Sequence, residues 1–165
     1  MKQLRITKIR KVRTPEYGTN GSAGIDFFVP EDLQRNLYVG PKSDILIPSG
    51  IKADIPDGYM LVFKNKSGIA TSQGAMLCAG KKPKATQPIS SLIVGACVVD
   101  SDYQGEMHIH LINAGGQEVQ IMPGMKIAQA ILVPVEHANI VEVLEPDLFS
   151  GVSERGCGAF GSTNK

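Results

Sequence analysis

Apolar and polar residues alternate in several short runs of this chain. Ile51-Lys52-Ala53-Asp54-Ile55 and Met107-His108-Ile109-His110-Leu111 are apolar at every second position, and Val119-Gln120-Ile121 repeats the pattern briefly. A period of two is that of a strand with one buried face. Asp44-Ile45-Leu46-Ile47, Tyr59-Met60-Leu61-Val62-Phe63 and Ile127 to Val133 are more uniformly apolar. That uniformity predicts strands buried on both faces, as between packed sheets. Turn signals separate the runs: Pro56-Asp57-Gly58, Ala114-Gly115-Gly116 and Met122-Pro123-Gly124. Together they predict an all-β sandwich or barrel.

Composition narrows this further. The 165 residues include 18 Gly and 10 Pro, and the longest stretches free of both are Met1–Thr14 and Val135–Glu145. Gly and Pro cost about 1 and about 3 kcal/mol inside a helix relative to Ala, so a helical bundle and a doubly wound fold are excluded. With 42% hydrophobic and 20% charged residues, the chain can fill one core. Seventeen basic residues against 16 acidic ones leave a net charge of +1. No global field then draws the protein to a membrane, and no stable nucleic-acid binding is expected. No apolar run approaches the roughly 20 residues of a membrane span, and the N-terminus lacks the apolar core of a signal peptide. Cys78, Cys97 and Cys157 form no CxxC pair and read as reduced thiols in a cytoplasmic compartment.

Two segments break the rhythm of strands and turns. One, at about residues 71–92, is polar, turn-rich and contains Lys81, Lys82 and Lys84; it is too long for a hairpin loop. The other is the tail, 149–165, rich in glycine and with Phe160 as its only large apolar residue after Val152. The expected organisation is a β domain over 1–148, with an insertion at about 71–92, followed by a flexible C-terminal arm. Such a tail is either a frayed terminus or an arm that closes on a ligand.

Candidate chemistry lies in three places. In Val98-Val99-Asp100-Ser101-Asp102-Tyr103-Gln104-Gly105, apolar residues lead into an acidic turn. Asp100 would sit at the end of a buried strand, where it suits a general base. The commoner use of Asp-Ser-Asp is a turn whose side chains cap backbone amides. Lys66-Ser67-Gly68-Ile69-Ala70 suits a short helix with Ser67 as N-cap and a lysine beside it, a small anion site. Glu154 to Thr163 adds the Arg155 fork, glycine amides, two hydroxyls and a ring for stacking on a base. His108 and His110 share a strand face, but without a third ligand they do not make a metal site.

In these segments the chain resembles the trimeric deoxyuridine triphosphatases (dUTP pyrophosphatases), a family marked by five ordered motifs. The first matches Ala23-Gly24-Ile25-Asp26-Phe27-Phe28 and the second Lys66-Ser67-Gly68-Ile69-Ala70. The third matches Gly95 through Asn113, the fourth Gly124-Met125-Lys126-Ile127-Ala128-Gln129, and the fifth Glu154 through Thr163. The resemblance implies a β jelly roll (β-clip) assembled as a homotrimer with swapped C-terminal arms. It implies hydrolysis of dUTP to dUMP and pyrophosphate with Mg2+, a step that keeps uracil out of DNA and supplies dUMP. Asp100 would activate water, and Tyr103 would pack under the deoxyribose. The backbone around Cys97 to Val99 would read uracil and exclude thymine's methyl group. Lys66, Ser67, Gly68, Gln129, Arg155, Gly161, Ser162 and Thr163 would hold phosphates, and Phe160 would stack on the base. Asp26 would reach Mg2+ through water. The place of action would be the cytoplasm, or the host cytoplasm for a viral chain.

The chain departs from the family pattern at several points. Lys66 stands where Arg is usual and keeps the charge without the bidentate fork. Cys97 replaces a common Gly, and Ile25 and Phe27 replace the commoner aromatic and leucine. Ser67 and Asp100 are 33 positions apart, beyond the usual spacing, and the insertion takes up the excess. Two other readings use the same fold. The dCTP deaminases lack the glycine-rich fifth motif present here. A regulatory binding module would recruit a partner through the insertion.

Overall fold

The computed structural model describes residues 2–33, 36–70, 92–96, 98–154 and 156–157. The expected insertion, Cys97, Arg155, Phe160, Gly161, Ser162 and Thr163 lie outside them. The described chain is almost entirely strand and turn. In order, the strands are β1 (Arg5–Lys8), β2 (Glu16–Tyr17), β3 (Ile25–Phe28), β4 (Leu37–Val39), β5 (Asp44–Pro48), β6 (Ile51–Asp54) and β7 (Tyr59–Lys64). After the short helix α1 (Ser67–Ala70) come β8 (Leu92–Val94), β9 (Val98–Val99), β10 (His108–Asn113), β11 (Val119–Ile121) and β12 (Lys126–Pro134).

Every strand pairing is antiparallel. The strands form sheets in the orders β2-β3-β12-β7-β9, β5-β10-β8, β1-β6 and β11-β4. One continuous core joins them, its bulkiest members being Phe27, Phe28, Phe63, Leu61, Ile47, Ile51, Ile109 and Leu111. On β12, Ala128 faces Phe27 of β3 and Ala130 faces Phe63 of β7. These small residues let the two rings meet edge to face across the middle strand, their centroids 5.0 Å apart.

The period-two segments behave as the pattern predicts: Ile109, Leu111 and Asn113 of β10 are buried, and His108, His110 and Ile112 are less so. Leu61, Val62 and Phe63 are buried in succession, as expected of a strand covered on both faces. β5 differs. Ile47 is fully buried but Leu46 is 59% exposed, so this strand covers only one side. A run of aliphatic residues does not record whether a second layer lies above it.

Contacts divide the chain into two compact units, Met1–Val135 and Glu136–Lys165. The first holds every strand. The second has one 3-10 turn, Glu145–Asp147, and exposes Ile140, Val141, Leu144, Phe149 and Val152. Among the described residues no helix is long and apolar enough to cross a membrane.

Candidate active site

The polar face of the five-stranded sheet gathers residues from three of the motifs. Asp26 on β3 lies directly opposite Gln129 on β12. Lys126 is three residues from Gln129, and in a regular strand an odd separation would put the two on opposite faces. The pairing with β3 shifts between Lys126 and Ala128, and this bulge at Ile127 re-aims the lysine. Lys126 Nζ reaches Asp26 Oδ2 at 2.6 Å, and Lys66 Nζ, from beyond β7, pairs with Asp26 Oδ1. Asp26 is 4% exposed. Burial pushes its carboxyl up, but hydrogen bonds from Lys126 and Lys66 outweigh that and hold it below the usual carboxylate range.

Gln129 Nε2 donates to the Asn65 carbonyl at 2.8 Å, and the Val94 amide donates to Asn65 Oδ1 at 2.5 Å. Asn65 thereby links β12, the end of β7 and β8. Gly24 leaves room for the Gln129 carboxamide, because a Cβ there would stand 2.2 Å from Oε1. Ser67 opens α1, but the cap lies one residue earlier than expected: the Lys66 carbonyl accepts the Ile69 and Ala70 amides at 3.0 and 2.9 Å. The sequence Ser-Gly signals a helix start, but not which residue carries the first helical carbonyl.

The second cluster is the turn after β9, which leads from the five-stranded sheet to β10 in the sheet β5-β10-β8. Val98 and Val99 pair with Val62 and Leu61 of β7, which places Asp100 at the strand's end, exposed. The Asp100 carbonyl accepts the Tyr103 amide at 3.2 Å, closing the turn. Tyr103 is 44% exposed, and its hydroxyl donates to the Glu106 carbonyl at 2.9 Å. Glu106 Oε1 accepts from Arg10 Nε and from the Gly50 amide, each at 2.8 Å. Burial raises the Glu106 carboxyl, and the bonds from Arg10 and Gly50 lower it by more. The connection from Asp100 to Glu106 is therefore fixed at its far end by an ion pair to the segment after β1. A cavity of about 230 Å³ opens beside it, lined by Ala96, Val98, Val99, Asp100, Tyr103 and His108, with Leu46, Phe63 and Met107 at its apolar side.

Asp100, Val99 and Tyr103 therefore stand together at one cavity, and Asp26, Lys66 and Gln129 stand together on the sheet. None of the latter three lines the cavity. The sequence reading did not assign Asn65, Glu106 or the pairing of Lys126 with Asp26. Lys126 and Glu106 lie inside matched motifs, but their partners are distant in sequence, and Asn65 carries no signal of its own.

Among the described residues no three of His, Cys, Asp and Glu stand close enough to hold a metal ion. Mg2+ keeps several waters and binds phosphate oxygens, so it needs no protein cage. Each Asp26 oxygen has one lysine partner, and a carboxylate accepts about four hydrogen bonds. Its buried position fits contact with a hydrated cation through water rather than direct ligation.

Comparison with known proteins bears on the family and the fold. A family model described as dUTPase matches residues 79–164. The chain is 33% identical over 162 residues to the deoxyuridine 5'-triphosphate nucleotidohydrolase of Rhizobium rhizogenes, across 97% of this chain and 90% of that one. Its fold is similar to that of a mutant Staphylococcus bacteriophage 80alpha dUTPase with dUpNHpp, with a TM-score of 0.75, 22% identity and 99% of each chain covered. It is also similar to a mutant dUTPase from phage phi11 of S. aureus that coordinates a structural Mg(II) ion, with a TM-score of 0.67, 20% identity, and 87% of this chain and 98% of that one covered. One residue in three is shared with a relative along nearly the whole of both chains, and the chain belongs to the dUTPase family.

Proposed function

We propose that this protein hydrolyses dUTP to dUMP and pyrophosphate, with Asp100 as the general base. The observation that carries this reading is the cavity beside Asp100, bounded by the β9 backbone and Tyr103. An exposed carboxylate at a strand end, beside a cavity, is placed to take a proton from water. The water oxygen forms a bond to the α-phosphorus as the bond to the α–β bridging oxygen breaks. Pyrophosphate leaves with that oxygen, and Asp100 holds the water's proton. Tyr103, anchored through its hydroxyl, presents its ring to the deoxyribose and excludes a 2′-hydroxyl by contact. The backbone from Cys97 to Val99 reads the uracil edge.

Lys66, Ser67, Gly68 and Gln129 would hold phosphates, with Arg155, Gly161, Ser162 and Thr163 of the arm, while Phe160 covers the base. Bound to the triphosphate, Mg2+ would neutralise phosphate charge and orient the chain, with Asp26 contacting its water shell. The net charge of +1 means that these local donors must supply the attraction to substrate.

The separation of the two clusters favours a site composed across subunits of a homotrimer: among the described residues, none of the proposed phosphate-binding ones lines the cavity with Asp100. The exposed apolar residues between Ile140 and Phe149 suit packing against a second copy. A cytoplasmic location fits three cysteines in the sequence with no CxxC pair.

Pyrophosphate release from a panel of dNTPs with Mg2+ tests the reading. The wild type should act on dUTP, and Asp100→Asn should lower kcat by about 10³-fold while leaving binding of a non-hydrolysable analogue in place. Ammonia from dCTP, with no pyrophosphate from dUTP, would instead assign a deaminase.

A further inference from the structure

β8 ends at Val94, and the next two residues leave the sheet on their way to β9. One residue of β10 holds both. The Gly95 amide donates to the His110 carbonyl at 3.0 Å, and the Ala96 amide donates to His110 Nδ1 at 3.1 Å. A ring nitrogen that accepts carries no proton, so the proton lies on Nε2. Nε2–H then donates to Asp44 Oδ2, across the strand pair on β5, at 2.9 Å. The ring lies close against the departing backbone: a Cβ on Gly95 would stand 2.2 Å from Nδ1 and 2.7 Å from Cε1. The imidazole is thus seated on three sides, by a carboxylate, an amide and a glycine with no side chain to displace it.

The held residue matters because of where it leads. Ala96 forms part of the cavity wall, and Val98, Val99 and Asp100 continue that wall. We propose that His110 is a positioning residue for base selection: its neutral imidazole, oriented by Asp44, fixes the Ala96 backbone and with it the wall that meets the pyrimidine. This rests on the functional reading above. A wall that rejects a single methyl group gains only about 10–200-fold from that contact, so a small loosening erodes it. A shift of about 1 Å in a positioned group costs on the order of 10²-fold. His110 itself touches neither substrate nor water in the reaction.

Three variants separate positioning from mere packing. His110→Leu fills the space but removes the acceptor. His110→Asn keeps an oxygen near the Nδ1 position and gives up the link to Asp44. Asp44→Ala removes the carboxylate, whose side chain is 65% exposed, and leaves the ring unoriented. The measurements are hydrogen exchange at the Ala96 amide and the ratio of kcat/KM for dUTP over dTTP. His110→Leu should speed exchange at Ala96 and lower the ratio, each by about tenfold. His110→Asn and Asp44→Ala, which each keep an acceptor for the Ala96 amide but lose the orienting link, should both fall between wild type and His110→Leu. A folded His110→Leu protein with wild-type exchange and wild-type discrimination overturns the proposal, as does His110→Asn losing as much as His110→Leu. If His110→Leu does not fold, unchanged exchange and discrimination in Asp44→Ala overturn it instead. A wild type that leaves dUTP intact sinks the functional reading, and the base-selection role with it. An active wild type with unchanged variants sinks the role of His110 alone.

Discussion

Asp26 shows how one buried charge organises its neighbours. Two lysines, one on β12 and one in the link between β7 and α1, converge on a carboxylate that is nearly inaccessible. Removing one member of a buried pair usually costs about 3–5 kcal/mol. Lys66 and Lys126 keep 27% and 36% of their side chains in water, so Asp26→Asn should cost about 2 kcal/mol by urea unfolding at pH 7. The folded carboxyl titrates below its unfolded value of 3.8. Its contribution is therefore complete above that pH and is lost as pH falls through the lower, folded value. The stability gap between wild type and Asp26→Asn should hold from neutral pH down to about pH 5 and close below about pH 4. A gap that closed near pH 6 would show that another group is responsible. The sequence marks Asp26 as functional through its motif, and Lys66 through its place beside Ser-Gly. It does not mark Lys126 as their partner, because that depends on a bulge a hundred residues along the chain.

At the scale of elements, alternation is legible where one face of a strand meets the core. β10 and β11 read directly from their apolar spacing, and so do most of the turns between strands. What spacing alone misses is irregularity and layering. The bulge at Ile127 lies within a run of apolar residues, where an inserted residue leaves no trace in the pattern. Leu46 is as apolar as Ile47, yet only one of them is covered. Close approach is equally hidden: Gly24 reads as a turn residue but serves as the space beside Gln129. Gly24→Ala tests that role. Its new methyl meets the flexible end of the carboxamide, which can swing away, so the loss of stability should stay below about 1 kcal/mol. The displaced amide gives up its bond to Asn65, and KM for dUTP should rise by about tenfold with kcat less affected. An unchanged KM would remove Gln129 from the phosphate-binding set.

The proposed trimer is tested at the scale of the whole molecule. Asp100 and Tyr103 line the cavity, and among the described residues Lys66 and Gln129 do not. In a closed ring of identical chains, a group missing from one site is supplied by a neighbour's copy of the same surface. That arrangement predicts complementation between two inactive proteins. One carries Asp100→Asn with its arm intact, and the other ends at residue 148 with Asp100 intact. Each alone should release little pyrophosphate from dUTP. After unfolding and refolding together in equal amounts, about one site in four should pair an intact Asp100 with a neighbour's arm, restoring about a quarter of wild-type activity. If each arm served its own chain, no mixed site would be complete, and the refolded mixture would stay as inactive as its parts. Sedimentation of the same mixture checks that both chains enter one assembly, so that silence can be assigned to the direction of the arm rather than to failed exchange.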